Sequence, residues 1–253
     1  MVFPPDSALV TAVEASPHHG PRLGHERPGL LILHYTGMKD AETARRWLKD
    51  PRSQVSCHYL VDEDGTVLQM VREDRRAWHA GRSVWRDIDD INSASIGIEI
   101  VNPGHEWGYR PFPEAQMAAV TELCADITAR HAIRPRDVLA HSDVAPLRKE
   151  DPGELFGWRR LSERGVGLYV EPAPLGSGRF LARGDEGLAV EALQGMLALH
   201  GYGVSMDGRY DDLTEAVVRA FQRHFRQAQV DGVADESTIT TLRDLVALHG
   251  AVA

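Results

Sequence analysis

With 253 residues, 43% hydrophobic and 26% charged, the chain has the composition of an ordinary folded protein. That length suits one large core, or a domain of roughly 150–170 residues beside a small one. A formal charge of −9, from 28 basic and 37 acidic residues, argues against nucleic acid or an anionic membrane surface as the main partner. Two cysteines, Cys57 and Cys124, exclude a disulfide framework, and no apolar run approaches the roughly 20 residues of a membrane-spanning helix. The first residues, Met1 to Ser7, show no basic or apolar leader, which reads as a chain that starts in the cytoplasm.

Residues 1–28 carry five prolines and little periodicity, and read as an extended arm lying on the domain that follows. His18 and His19 sit there as surface residues, since neighbours on an extended chain point to opposite sides. Leu30 to Tyr35 is an apolar run of strand length, suited to burial on both faces. Ala41 to Leu48 reads as a helix ended by Asp50-Pro51. Ser56 to Asp62 and Thr66 to Val71 flank Glu63-Asp64-Gly65 as a hairpin. In Ala94 to Val101, Ile96, Ile98 and Ile100 alternate with Ser95, Gly97 and Glu99, the pattern of another strand.

Pro113 to His131 is the clearest long helix, with Met117, Val120, Leu123, Cys124 and Ile127 at helical spacing. Val138 to Ala140 is a short strand that delivers His141, and Leu155 to Leu161 predicts a terminal helix. Strands alternating with helices imply an α/β fold, a mixed central sheet flanked by helices. Residues 170–178, rich in proline and glycine, read as a linker. Beyond it, Gly187 to His200, Leu213 to Phe225 and Ser237 to Leu248 predict a small three-helix bundle. The division is therefore an arm (1–28), a larger domain (29–169), a linker (170–178) and a bundle (179–253).

The chemistry gathers between His141 and Asp151, which place an imidazole, an ammonium and carboxylates within one short stretch. His34 ends another apolar run far upstream. A catalytic zinc takes three protein ligands and keeps one position open, and His34, His141 and Asp151 meet that count. Twelve histidines allow many such triples. Taken singly, each histidine reads more readily as a hydrogen-bonded strand end than as a ligand, and Asp151 as easily as a helix cap.

Five motifs in order narrow the choice: His-Tyr-Thr at 34–36, Ser-Cys-His-Tyr-Leu-Val-Asp-Glu-Asp-Gly-Thr at 56–66, Ala-Trp-His-Ala-Gly at 77–81, Ser-Ile-Gly-Ile-Glu at 95–99, and His-Ser-Asp-Val-Ala-Pro-Leu-Arg-Lys-Glu-Asp-Pro-Gly at 141–153. Together they resemble the type 2 N-acetylmuramoyl-L-alanine amidases over roughly residues 25–165. The resemblance implies a zinc amidase that cuts the amide between muramic acid and L-alanine. It places the zinc ligands on His34, His141 and Asp151, the general base on Glu99 and the oxyanion-stabilising cation on Lys149. Asp143 and Glu150 are left supporting roles. Phage-type relatives carry a tyrosine where this chain has Cys57, so no tyrosine hydroxyl is expected there. Cys57 as a nucleophile lacks an orienting acid. Tyr35, His79, Asn92 and Arg148 are candidate substrate contacts.

Residues 179–248 carry a second ordered set, including Gly184-Asp185-Glu186-Gly187, Asp207-Gly208-Arg209-Tyr210 and Val230-Asp231-Gly232-Val233. These are similar to the three-helix peptidoglycan-binding module of cell-wall hydrolases, which would raise local substrate concentration and argues for access to the cell envelope. The expected partner is peptidoglycan or an anhydro-muropeptide, and the expected state a monomer. A muropeptide-binding receptor on the same fold, without catalysis, is the alternative.

Overall fold

The computed structural model describes residues 3–176, 178 and 180–251. Residues 177 and 179, where linker and bundle were expected to meet, lie outside that range. In chain order the first elements are β1 (Ala12–Val13), β2 (His19–Pro21), β3 (Leu30–Tyr35), α1 (Ala41–Lys49), β4 (Tyr59–Val61), β5 (Val67–Gln69) and β6 (Arg75–Ala77). There follow α2 (Ile91–Ala94), β7 (Ser95–Ile100), α3 (Gly104–Trp107), α4 (Glu114–His131), β8 (Val138–Ala140), α5 (His141–Val144) and α6 (Trp158–Glu163). The bundle is α7 (Leu188–His200), α8 (Asp212–Phe225) and α9 (Glu236–Ala251).

Six strands form a mixed sheet in the order β1-β5-β4-β7-β3-β8, as the alternation of strands and helices predicts. β3 lies between β7 and β8, parallel to both, and β4 pairs antiparallel with β5 only. The parallel register sets Leu30 beside Ser95, Ile32 beside Gly97 and His34 beside Glu99. Because side chains alternate along a strand, these six residues share one face, and Leu31, Leu33, Ile96, Ile98 and Ile100 share the other.

The second face is closed by α4, whose Met117, Val120, Leu123, Cys124 and Ile127 pack with those leucines and isoleucines in one cluster. Leu30 and Ile32 belong instead to a cluster that includes Trp85, Ile91, Val190, Leu193, Tyr202, Phe221 and Leu242. One apolar core thus runs from the sheet into the bundle. The bundle also meets the preceding chain through backbone: the Arg86 N–H donates to the Gly201 carbonyl (2.8 Å). A Cβ on Gly201 would lie 2.5 Å from the Trp85 ring, so close approach there requires glycine. Of the expected linker, Ala173 is tied to α9, its N–H donating to Thr241 Oγ1 and its carbonyl accepting from Ser237 Oγ.

Several elements differ from the sequence expectation. The proline-rich arm supplies β1, parallel to β5, and β2, which pairs with β6 as a separate ribbon. Neither ribbon strand, His-Gly-Pro or Arg-Arg-Ala, carries an apolar alternation to announce it. His18, expected on the surface, is buried with its Nε2–H donating to the Asp50 carbonyl (2.9 Å). α2 and α5 are single turns of four residues, too short for a helical period to register. α6 begins at Trp158, three residues later than predicted, because Tyr109 holds the preceding loop: its hydroxyl donates to the Pro152 carbonyl and accepts from the Leu155 N–H.

A buried carboxylate joins α4 to the sheet. Glu73, 4% exposed, accepts from Tyr59 Oη (2.6 Å), Arg130 Nη2 (2.8 Å) and His131 Nε2 (2.7 Å). Burial pushes its pKa up, but the hydrogen bonds from Arg130, His131 and Tyr59 outweigh burial and lower it from 4.5 to about 2. A depressed carboxylate stabilises the fold above its unfolded pKa and loses that contribution as pH falls through the folded value. Glu73→Gln should therefore cost about 1–3 kcal/mol in urea unfolding at pH 7. The gap from wild type should close as pH falls from 4.5 towards 2.

Candidate active site

The register of β3 and β7 puts His34 and Glu99 side by side at the carboxyl end of the sheet, on the face away from α4. The short strand β8 ends one residue before His141, and the loop after α5 returns Asp151, its carbonyl accepting from the Ser142 N–H (3.0 Å). His34 Nδ1, His141 Nδ1 and Asp151 Oδ2 converge, with separations of 2.9, 3.1 and 2.9 Å. All three side chains are buried.

Protons on these groups follow from their partners. Ser95 Oγ donates to the Ile91 carbonyl (2.6 Å), so its contact with His79 Nε2 (3.1 Å) requires His79 to donate. A neutral His79 then offers Nδ1 as acceptor, and His34 Nε2 at 3.0 Å donates to it. That leaves the inward-facing His34 Nδ1 a bare lone pair. The outer nitrogen of His141 is engaged in the same way: its Nε2 donates to the Ala80 carbonyl (3.1 Å), which can only accept, so a neutral His141 turns its Nδ1 lone pair inward.

Burial, with His141 and Lys149 adding to it, pushes His34 down from 6.5 to about 4, and burial with His34 nearby puts His79 well below the ordinary range. Both are neutral at pH 7. Asp151 is held far below the usual carboxylate range, its burial outweighed by the His141 and His34 imidazoles, so it is ionised. With both imidazoles neutral, two lone pairs and a carboxylate oxygen face one point, an arrangement that a cation relieves. Imidazole nitrogens held by carbonyl or imidazole partners, with one carboxylate, are the donor set of a divalent metal site with a position left open.

A cleft of about 340 Å³ opens over this point, lined by Glu99, Lys149, His79, Tyr35, Trp47 and Trp78 among others. Glu99 Oε2 is buried without a hydrogen-bond partner among the described residues. Burial and the Asp151 charge push its pKa well up, with Lys149 pulling the other way. Tyr35 reaches the cleft with its hydroxyl on His105 Nδ1 (3.0 Å), and His105 in turn meets Glu154.

The other candidates are occupied by the protein itself. His79 is held between Ser95 and His34, which makes it the partner that orients His34. Asn92 Oδ1 accepts from the N–H groups of His79 (3.0 Å) and Ala80 (2.8 Å). Arg148 donates to the carbonyls of Ala80 (3.0 Å) and Arg82. Neither Asn92 nor Arg148 lines the cleft; both hold the 79–82 loop against His141. Cys57 is buried beside Met70, its thiol pushed well up by burial, and it too lies outside the cleft.

Sequence reasoning missed Ser95 and the Ala80 carbonyl as proton-fixing groups, and His105 at the rim. A signal for Ser95 and His79 existed in the small residues of β7. A Cβ on Gly97 would stand 2.4 Å from His79 Cγ, so the glycine makes room for the imidazole behind His34.

A family profile described as N-acetylmuramoyl-L-alanine amidase matches residues 24–154, and one described as a peptidoglycan binding domain matches residues 186–242. The N-acetylmuramoyl-L-alanine amidase AmiD of Escherichia coli (strain K12) is 36% identical over 240 residues, covering 89% of this chain and 85% of that protein. The structure of E. coli AmiD in complex with the substrate anhydro-N-acetylmuramic acid-L-Ala-D-gamma-Glu-L-Lys superposes with a TM-score of 0.74 at 33% identity, covering 94% of this chain and 93% of that one. AmpDh3 from Pseudomonas aeruginosa, in complex with anhydromuramic pentapeptide, gives a TM-score of 0.71 at 27% identity over 93% of this chain and 96% of that one. By the length and identity of these matches, and by the buried His-His-Asp cluster they frame, the chain belongs to the N-acetylmuramoyl-L-alanine amidases and carries a domain of the peptidoglycan-binding family behind the catalytic one.

Proposed function

We propose that this amidase uses zinc, held by His34, His141 and Asp151, to cleave the bond between the lactyl carbonyl of N-acetylmuramic acid, or of its 1,6-anhydro form, and L-alanine. The observation that carries this reading is the convergence of two imidazole nitrogens and a carboxylate oxygen on one point. Two nitrogens and one oxygen suit zinc better than the all-oxygen sites of magnesium or calcium. When bound, zinc supplies a Lewis acid for the scissile carbonyl and lowers the pKa of a water to about 7.

The chain's own residues supply the rest. Glu99, with an unpartnered Oε2 beside His34, takes the proton from the attacking water and returns it to the leaving amine of L-alanine. Its high proton affinity, set by burial and Asp151, suits an acceptor that must later donate. Lys149, at the cleft wall two residues before Asp151, places an ammonium near the oxygen that gains charge. Trp47 and Trp78 in the same wall offer flat apolar surface to substrate and exclude water.

In this reading residues 29–169 do the chemistry and residues 179–253 bind wall glycan, with 170–178 between them. The anhydro-muropeptides named for AmiD and AmpDh3 support a soluble anhydro-muropeptide as substrate. Among the described residues no helix is long and apolar enough to cross a membrane.

Release of free peptide from purified anhydro-muropeptide, followed by mass spectrometry with and without a chelator, tests the proposal. Activity should vanish on chelation and return with zinc. Activity that survives metal removal, or no peptide released by the zinc-loaded protein, would overturn it. Glu99→Gln should retain zinc and lose about 10²–10⁴-fold in kcat, whereas Asp151→Ala should lose the metal itself, read by elemental analysis. Gly97→Ala, whose methyl would stand 2.4 Å from His79, should weaken zinc binding about 10–100-fold by displacing the partner of His34.

A further inference from the structure

Asp143 lies two residues after His141, in the single turn α5, and is 1% exposed. Its Oδ2 accepts from the Ala140 N–H (2.8 Å), immediately before the proposed ligand. Its remaining partners come from the bundle. Tyr202, just after α7, donates its hydroxyl to Oδ1 (2.7 Å), and His224 on α8 donates Nδ1–H to Oδ2 (2.7 Å). Burial and the Asp143 charge hold the Tyr202 phenol well above its ordinary pKa, so it stays a donor. The His224 ring is stacked against Trp158 at 3.6 Å and Phe225 at 3.9 Å between centroids. Two more bundle residues grip the same stretch: Arg223 donates to Glu150 Oε2 (2.9 Å), beside Asp151, and Gln227 Nε2 to the Phe156 carbonyl (2.9 Å).

A buried carboxylate needs its donors. Here two of the three side-chain or backbone donors to Asp143 come from the bundle, outside the sheet and loops that carry the proposed metal site. We propose that the bundle is a working part of the active site: Tyr202 and His224 are positioning residues that, through Asp143, hold α5 and with it His141 in place to bind metal. The peptidoglycan-binding fold therefore has a second function, independent of wall binding. Withdrawing either donor leaves the buried carboxylate short of partners, and the turn that carries His141 shifts towards whatever donors remain. Displacements well below 1 Å suffice to degrade a metal site.

The inference rests on the proposed metal site, and its test reads zinc binding directly rather than amidase activity. In the full-length chain, Tyr202→Phe and His224→Leu are compared with His224→Asn, whose side-chain amide can take the place of Nδ1–H. A fourth variant, Leu242→Ala, removes buried apolar bulk from α9 without touching Asp143. Zinc affinity is measured by competition with a chromophoric chelator, kcat and KM on soluble anhydro-muropeptide, and Tm by calorimetry. Tyr202→Phe and His224→Leu should bind zinc about 10–100-fold more weakly, the range for lost supporting partners, with His224→Asn recovering most of the loss. Leu242→Ala should lower Tm yet keep zinc affinity within about twofold, as a distant independent site does. Folded Tyr202→Phe and His224→Leu proteins with wild-type zinc affinity would overturn the proposal. So would a Leu242→Ala variant that loses as much affinity as they do. Wild type that binds zinc but releases no peptide would instead refute the amidase reading and leave this coupling standing.

Discussion

Three electron-pair donors pointing at one another are an unstable arrangement, and the molecule is built to enforce it. Ser95 through His79, and the Ala80 carbonyl, engage the outer nitrogens of His34 and His141 and turn the inner ones towards an ionised Asp151. Burial disfavours a proton on His34 or on the His79 behind it. The cost of that convergence is carried by the surrounding fold, and a divalent cation at its centre turns the repulsion into binding. The ordered packing around this point is what suits it to a metal ion.

The sheet supplies the platform by dividing its faces. Isoleucines 96, 98 and 100 lock β7 to α4, while Ser95, Gly97 and Glu99 of the same strand serve in turn as proton anchor, clearance and proposed base. Leu30 and Ile32 continue that face into the core shared with the bundle. Strands β3 and β7 thus aim His34 and Glu99, and the loop after α5 brings Lys149 and Asp151 to meet them.

Much of this was legible in the linear order of residues. The apolar run at 30–35, the Ile alternation at 95–100 and the helical spacing through 114–131 each report burial, which is a local property with a period. The five motifs singled out His34, Glu99, His141, Lys149 and Asp151, and the fold brings all of them to one cleft or its floor. Asn92 and Arg148, by contrast, face their own backbone and brace the 79–82 loop. A polar residue near a motif looks the same in sequence whether it serves substrate or scaffold, because hydrogen-bond partners are chosen by tertiary approach.

The sequence by itself determined the α/β class, the family, the presence of a helical bundle and the residues that meet at the cleft, since periodicity and motif order are properties of the chain read one residue at a time. Only the tertiary structure decided which nitrogen of each histidine carries a proton, that His79 stands behind His34, and that Asp143 is held by Tyr202 and His224 from the bundle. Those facts depend on contacts between residues 45, 59 and 81 positions apart. Such contacts have no period and no spacing rule, and exist only once distant segments of the chain pack together.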